Sequence, residues 1–221
     1  LRVIPAFAAG LDARPAIERF FLKDGKAAVD AVISLTGFSL VGGPAYNDSK
    51  AAEEILAKLD VPYLSTLAVE FQHVDQWESS SQGLLAVEAT MMVAIPELDG
   101  ATGPMVYGGR IGGGSGDGAR DMQAHTERTQ RLASRVERLV RLRRTKRAER
   151  KVAIVLFNFP PNAGNTGTAA YLSVFASLYH TLKTMHAEGY KVDVPRDVDA
   201  LREQIVNGNS GRFGSHANVH V

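Results

Sequence analysis

Apolar and polar positions follow two different spacings along the first third of the chain. Compact apolar runs fall at residues 2–8 (RVIPAFA), 28–37 (AVDAVISLTG) and 61–68 (VPYLSTLA). Runs of this length between polar or glycine-bearing stretches predict buried strands. Between them the apolar residues recur every three or four positions. Residues 12–22 (DARPAIERFFL) place Ala16, Ile17, Phe20 and Phe21 on one helical face. Residues 50–60 (KAAEEILAKLD) place Ala51, Ile55, Leu56 and Leu59 on another, with Asp48 or Ser49 as the N-cap. This β-α-β-α-β alternation predicts parallel strands flanked by helices.

The middle of the chain is less regular. A short helix is predicted around Trp77, then an apolar segment over 84–95 ended by Pro96, then a strand at 104–109 (PMVYGG). Residues 108–118 (GGRIGGGSGDG) hold seven glycines in eleven positions, which predicts a flexible loop or linker. A long helix is expected over 121–148, with a thin stripe of Leu132, Val136, Leu139 and Val140. Between Arg138 and Lys151 it carries eight basic residues against one acid.

A second βα section follows. It comprises a strand at 152–157 (VAIVLF), a Gly/Asn loop, and a helix over 168–187 with apolar positions Leu172, Phe175, Leu178, Leu182 and Met185. Gly189 stops that helix. A last helix is expected over 197–206, before an irregular tail. The expected fold is α/β, a mostly parallel sheet flanked by helices in Rossmann-like βα units. Two sections, 1–111 and 151–221, are joined by the Gly-rich loop and basic helix of 112–150.

Candidate chemistry sits in two loops. A strand running through a Gly/Asn loop into a helix exposes unpaired N–H groups where the helix dipole favours negative charge, so Asn165, Thr166, Gly167 and Thr168 could form an anion-binding edge. The alternative is a plain strand-to-helix connection with Thr166 or Thr168 as cap. The loop has no lysine before its Ser/Thr, so it is not a P-loop, and no G-x-G-x-x-G occurs. Glu97 and Asp99 form a carboxylate pair in a Pro/Gly-flanked turn, able to hold a hard cation or act as an acid/base couple, or simply to bond its own backbone. The basic helix end could meet phosphate or nucleic acid, or be a solvated face. The six histidines lack metal-binding spacing beyond His216 and His220 in the tail, and no G-x-S-x-G elbow appears. No metal site is expected.

Composition narrows the classes further. The 221 residues are 45% hydrophobic and 22% charged, as in ordinary globular proteins, and the net charge of +1 argues against a nucleic-acid or anionic-membrane partner. The absence of cysteine excludes disulfides and thiolate chemistry. No apolar run reaches the length of a membrane span. The chain begins at Leu1, already in strand-like sequence, which suggests a piece of a longer protein.

Three blocks carry a resemblance: DAVISLTGFSLVGGPAYND, AVEATMMVAIPELDGATGPMVYGGR and VAIVLFNFPPNAGNTGTAAYLSVFASLYHTL. Together they resemble the family of magnesium chelatase H subunits and cobaltochelatase large subunits, closest to the bacteriochlorophyll-pathway form, over nearly the whole chain. The resemblance implies the porphyrin-binding subunit of an ATP-dependent chelatase that inserts Mg²⁺ into protoporphyrin IX. ATP would be hydrolysed on AAA+ partners, the I and D subunits of magnesium chelatase, in the cytoplasm. It further implies that the family's FGTHGSLE block lies downstream of these residues, so that this portion alone is inactive. Asn165, Thr166, Gly167, Thr168 and Arg110 become possible walls of the tetrapyrrole cleft, with Glu97 and Asp99 as candidates for the chemistry. The alternatives are a cobaltochelatase acting on a corrin-type ring, and a non-catalytic ligand-binding or scaffold module.

Overall fold

The computed structural model describes residues 2–8, 10–43, 46–112, 122–157, 166, 167, 169 and 171–207. They divide into two compact units, Leu1–Arg143 and Arg144–Val221.

The first unit opens with helix α1 (Arg14–Phe20) and a small antiparallel hairpin of β1 (Leu22–Lys23) and β2 (Lys26–Ala27). A four-stranded sheet follows in the order β3 (Val32–Ser34), β4 (Tyr63–His73), β5 (Met105–Arg110), β6 (Met122–Ala124). The first three strands are parallel, with Ser34 opposite Ser65 and Leu67 opposite Val106. β6 returns antiparallel along β5, pairing Gly109 with Gln123.

Helix α2 (Ser49–Leu59) connects β3 to β4 and is capped by Asp48, whose Oδ1 accepts the Ala51 N–H at 3.0 Å. Its Ala51, Ala52, Ile55 and Leu59 pack on Val32 and Tyr63, joined by Ile17 of α1. Between β4 and β5 the chain forms α3 (Val74–Ser79) and then one helical stretch: α4 (Ala86–Ala89), a π-helical turn (Thr90–Ala94) and α5 (Ile95–Leu98). Its Met92 packs against Leu67, Val69 and Val106 on the same sheet face. On the opposite face, Leu64 meets Leu132 and Val136 of α6 (Thr126–Arg144). Alternate residues of β4 therefore feed opposite layers, as the two-residue strand period requires, and the first unit is a three-layer α/β arrangement.

Several expectations need correction. Residues 2–8 lie in no helix or strand and are largely exposed, with no strand pairing among the described residues. Pro96 does not end the helical segment. The π-turn, in which Ile95 N–H bonds Thr90 O, has already shifted the hydrogen-bond register before the proline's missing N–H is met. Gly108 and Gly109, expected both in the strand at 104–109 and in the glycine loop, lie inside β5: a Cβ on Gly109 would stand 2.3 Å from Val69 Cγ2 and 2.6 Å from Val69 O. Most of the remaining glycine run, residues 113–118, lies outside the described residues. The long helix starts five residues later than expected, because Met122–Ala124 pair with β5.

The second unit holds a 3-10 turn (Arg147–Glu149) and helices α7 (Val174–Ala187) and α8 (Val198–Asn207). Gly189 ends α7 with φ +86°. Residues 152–157 form no strand here, and all but Leu156 are exposed. A strand requires a neighbouring backbone, which an apolar pattern cannot supply by itself.

Candidate functional site

The loop after β3 stands at the C-terminal end of the parallel strands, where open α/β sheets place their ligand-contacting connections. It is held by Asp99, which follows α5 and is 1% exposed. Asp99 Oδ2 accepts the Leu40 N–H at 2.7 Å, and Oδ1 accepts Asn47 Nδ2 at 2.9 Å. Asn47 Nδ2 also donates to Ser39 Oγ at 2.9 Å, and that hydroxyl donates to Val41 O at 2.9 Å. The loop is tied at its base too, by Gly42 N–H to Leu11 O and Ala13 N–H to Leu40 O. Gly42 takes φ +109°, and a Cβ there would meet Tyr46 O at 2.1 Å, so only glycine lets the loop close.

Asp99 and Glu97 do not share an environment. Glu97 lies on α5 and is exposed, while both Asp99 oxygens accept donors from a loop more than fifty residues away in sequence. Beside this cluster, burial pushes the Tyr63 phenol well above its ordinary range. The Ser34 side chain opposes that shift and the negative charge of Asp99 adds to it. Ser34 Oγ and Thr36 Oγ1 lie 2.9 Å apart at the end of β3, and Tyr107 O–H donates to Leu35 O at 3.1 Å. Burial, then the charge of Glu70, raises the Tyr107 phenol as well.

The far end of β4 carries a second polar cluster that sequence reading missed. Glu88 of α4 is 0% exposed and accepts Gln72 Nε2 at 2.5 Å, Leu85 N–H at 3.0 Å and Phe71 N–H at 3.3 Å. A signal was present: Glu88 is the one carboxylate inside the apolar stretch LLAVEATMMVAI, and a carboxylate there must be both buried and partnered. Its Leu85 N–H bond is half of a capping box at the start of α4. Nearby, His125 Nε2 lies 2.8 Å from Glu78 Oε1, and His125 Nδ1 accepts the Arg128 N–H at 3.3 Å. The Arg128 guanidinium stacks over Trp77 at 5.0 Å. Arg110 ends β5, exposed, opposite His73 on β4 and Met122 on β6.

Of the loop in the second unit, Thr166 is half-buried and Gly167 buried; Asn165 and Thr168 lie outside the described residues. Gly167 has φ +74°, its N–H donates to Phe157 O at 2.8 Å, and a Cβ on it would approach Val174 Cγ1 to 3.1 Å. It is thus a tight turn packed on the start of α7. His216 and His220 also lie outside the described residues, and among the described residues no group of three or more His, Asp or Glu is placed to hold a metal ion. No described helix is long and apolar enough to cross a membrane.

The arrangement of helices and sheet recurs in a solved structure, the catalytic subunit of cobaltochelatase from Mycobacterium tuberculosis. It matches with a TM-score of 0.71 and 27% identity, over 90% of this chain and 17% of that one. The CobN/Magnesium Chelatase family model matches residues 1–220. The chain belongs to this family. Within it, similarity is higher to the H subunits of magnesium chelatase. That of Cereibacter sphaeroides is 50% identical over 99% of this chain, and that of Rhodobacter capsulatus 49% over 98%. The chain spans 19% of the length of each, about a fifth. In family terms, Asp99 of the PELDG block bonds Leu40 and Asn47 of the SLVGGPAYN block. Two of the sequence blocks that identify the family are therefore joined by one buried carboxylate.

Proposed function

We propose that these residues are part of the large H subunit of a magnesium chelatase, which inserts Mg²⁺ into protoporphyrin IX on the route to (bacterio)chlorophyll. The observation that carries the reading is the 50% identity to an H subunit along the whole chain, against 27% to the cobaltochelatase structure. ATP hydrolysis belongs to the partner I and D subunits in this reading, which agrees with the missing P-loop here, and the complex works in the cytoplasm. Within the complex these residues supply scaffold and cleft wall, and this portion does not chelate alone.

Insertion requires a dehydrated Mg²⁺, removal of two pyrrole protons, and a held macrocycle. Arg110, exposed at the end of β5, offers a planar guanidinium suited to a propionate. The loop of Asn165, Thr166, Gly167 and Thr168 is a separate candidate wall by residue type, with the Gly167 N–H already taken by Phe157 O. Glu97, the exposed carboxylate of the pair, is the one able to accept a proton from a ligand. Asp99 has both oxygens occupied, and its role is to hold the loop after β3.

The test is a fluorescence-quenching titration of a soluble porphyrin, run with the protein at the length of its relatives and with its Arg110→Ala variant. Mg²⁺ and Co²⁺ insertion are then assayed with the partner subunits. Porphyrin binding and Mg²⁺ insertion by the wild type, with binding weakened about tenfold in the variant, is the expected result, since a charge-assisted pair is worth about 1.5–3 kcal/mol. Selective use of Co²⁺ with a corrin-type ring would replace this reading with the cobaltochelatase one. Unchanged binding in the variant would remove Arg110 from the cleft.

A further inference from the structure

In the first unit the buried Ser39, Thr66, Glu88 and Asp99 each make a side-chain hydrogen bond of 2.9 Å or shorter. Two buried hydroxyls differ. Ser65 is 1% exposed and Tyr63 4%, and neither side-chain oxygen has a hydrogen-bond partner among the described residues. Both oxygens are shielded from solvent, so nothing that packs on the outside of this unit can reach them. Tyr63 and Ser65 lie two residues apart on β4 and therefore share the sheet face turned to α2. Ser65 stands opposite Ser34 on β3. The Ser34 hydroxyl lies near enough to the Tyr63 phenol to act on its titration, yet falls short of hydrogen-bonding geometry. The three hydroxyls thus converge on one place between the sheet and the helix layer.

We propose that this place is a binding site for a single buried water, which accepts the Tyr63 O–H and bonds the Ser65 and Ser34 hydroxyls. A hydroxyl buried without any partner is destabilising, and polar groups that face each other beyond bonding distance are the setting in which a water bridges. Such a water needs about two to four polar partners, and three are present. Ser34 and Ser65 are small side chains on adjacent strands, set among the larger Val32, Tyr63 and Leu67, so the face is least filled beside them. A hard cation suits the site less well. Hydroxyls bring it no charge, and each oxygen of the neighbouring Asp99 already accepts an N–H. The site connects to solvent at one end: Thr36 is exposed, and its Oγ1 lies 2.9 Å from Ser34 Oγ. The bound water therefore joins β3 and β4 beneath the loop that Asp99 holds.

A crystal structure of the protein at the length of its relatives, at a resolution that shows ordered water, tests this. The expected result is one density peak about 2.6–3.2 Å from both Tyr63 Oη and Ser65 Oγ. The absence of a peak common to the two oxygens overturns the proposal. Contacts of about 2.3–2.6 Å with added oxygen ligands also overturn it, because the occupant is then a cation. Hydrogen exchange of the β4 amides in the same protein gives a second, independent readout. Tyr63→Phe and Ser65→Ala each speed exchange about fivefold, the effect of one ordinary hydrogen bond. The double variant stays below about tenfold, because both hydroxyls depend on one shared molecule. Single variants without effect, or a double variant near the product of about 25-fold, would show two hydroxyls that share nothing. Neither measurement needs porphyrin or partner subunits, so its outcome is separate from that of the binding and insertion assays.

Discussion

Replacing Asp99 gives the sharpest test of how this chain is held together. In the native structure its carboxylate accepts Leu40 N–H at 2.7 Å and Asn47 Nδ2 at 2.9 Å while 1% exposed. Asp99→Ala leaves both donors inside the protein without that acceptor. Hydrogen bonds to a charged group are worth about 1.5–3 kcal/mol each, and Asn47 keeps its bond to Ser39 Oγ, so the expected loss is about 3–5 kcal/mol. Asp99→Asn keeps one acceptor and turns an amide N–H toward a donor, for a loss of about 2 kcal/mol. For a unit of this size the alanine variant unfolds about 10 °C lower. Trp77, the single tryptophan, lies in α3 of the same unit, so its fluorescence during thermal or urea unfolding reports the relevant transition. Glu97→Ala is the control. Its exposed side chain predicts a change within about 0.5 kcal/mol. An Asp99→Ala variant as stable as the control would refute the view that this carboxylate holds the loop after β3.

Two further outcomes follow from the same sheet. Gly109→Ala places a methyl against Val69 Cγ2 and within 2.6 Å of Val69 O, so β4 and β5 must separate, with a loss of about 2–4 kcal/mol in urea unfolding; a loss below about 1 kcal/mol would show that the strands are not this close. Tyr63 has its phenol raised in the folded state, chiefly by burial, so its contribution to stability is complete below the unfolded value near 10 and is lost as pH rises above it. Tyr63→Phe therefore flattens the alkaline limb of the stability–pH curve, and an unaltered limb would contradict the burial of that hydroxyl.

Local pattern carried much of the fold. The stripe of Ala51, Ile55 and Leu59 with Asp48 as cap is a statement about neighbours three and four residues apart, and α2 forms as that stripe requires. The runs at β3, β4 and β5, and the stop at Gly189, were legible for the same reason. The family blocks were legible as well, and the match over residues 1–220 agrees with them. Partnership was not legible. The apolar runs at 2–8 and 152–157 look like the run that became β4, yet neither enters a β-ladder among the described residues, because a ladder depends on what lies alongside. The tail of the glycine run and the Asn165 and Thr168 positions fall outside the described residues.

By itself, the sequence determined the apolar periodicities, their caps and stops, and the blocks that mark the family, since each depends on residues close together along the chain. Only the tertiary structure decided that Met122–Ala124 return antiparallel along β5, that Glu88 is buried and bonded to Gln72 and Phe71, and that Asp99 and Glu97, two residues apart, have different environments. Each of these depends on a hydrogen-bond partner or a packing surface brought from a distant segment. Burial makes a polar group find such a partner, but sequence spacing does not say which one it finds.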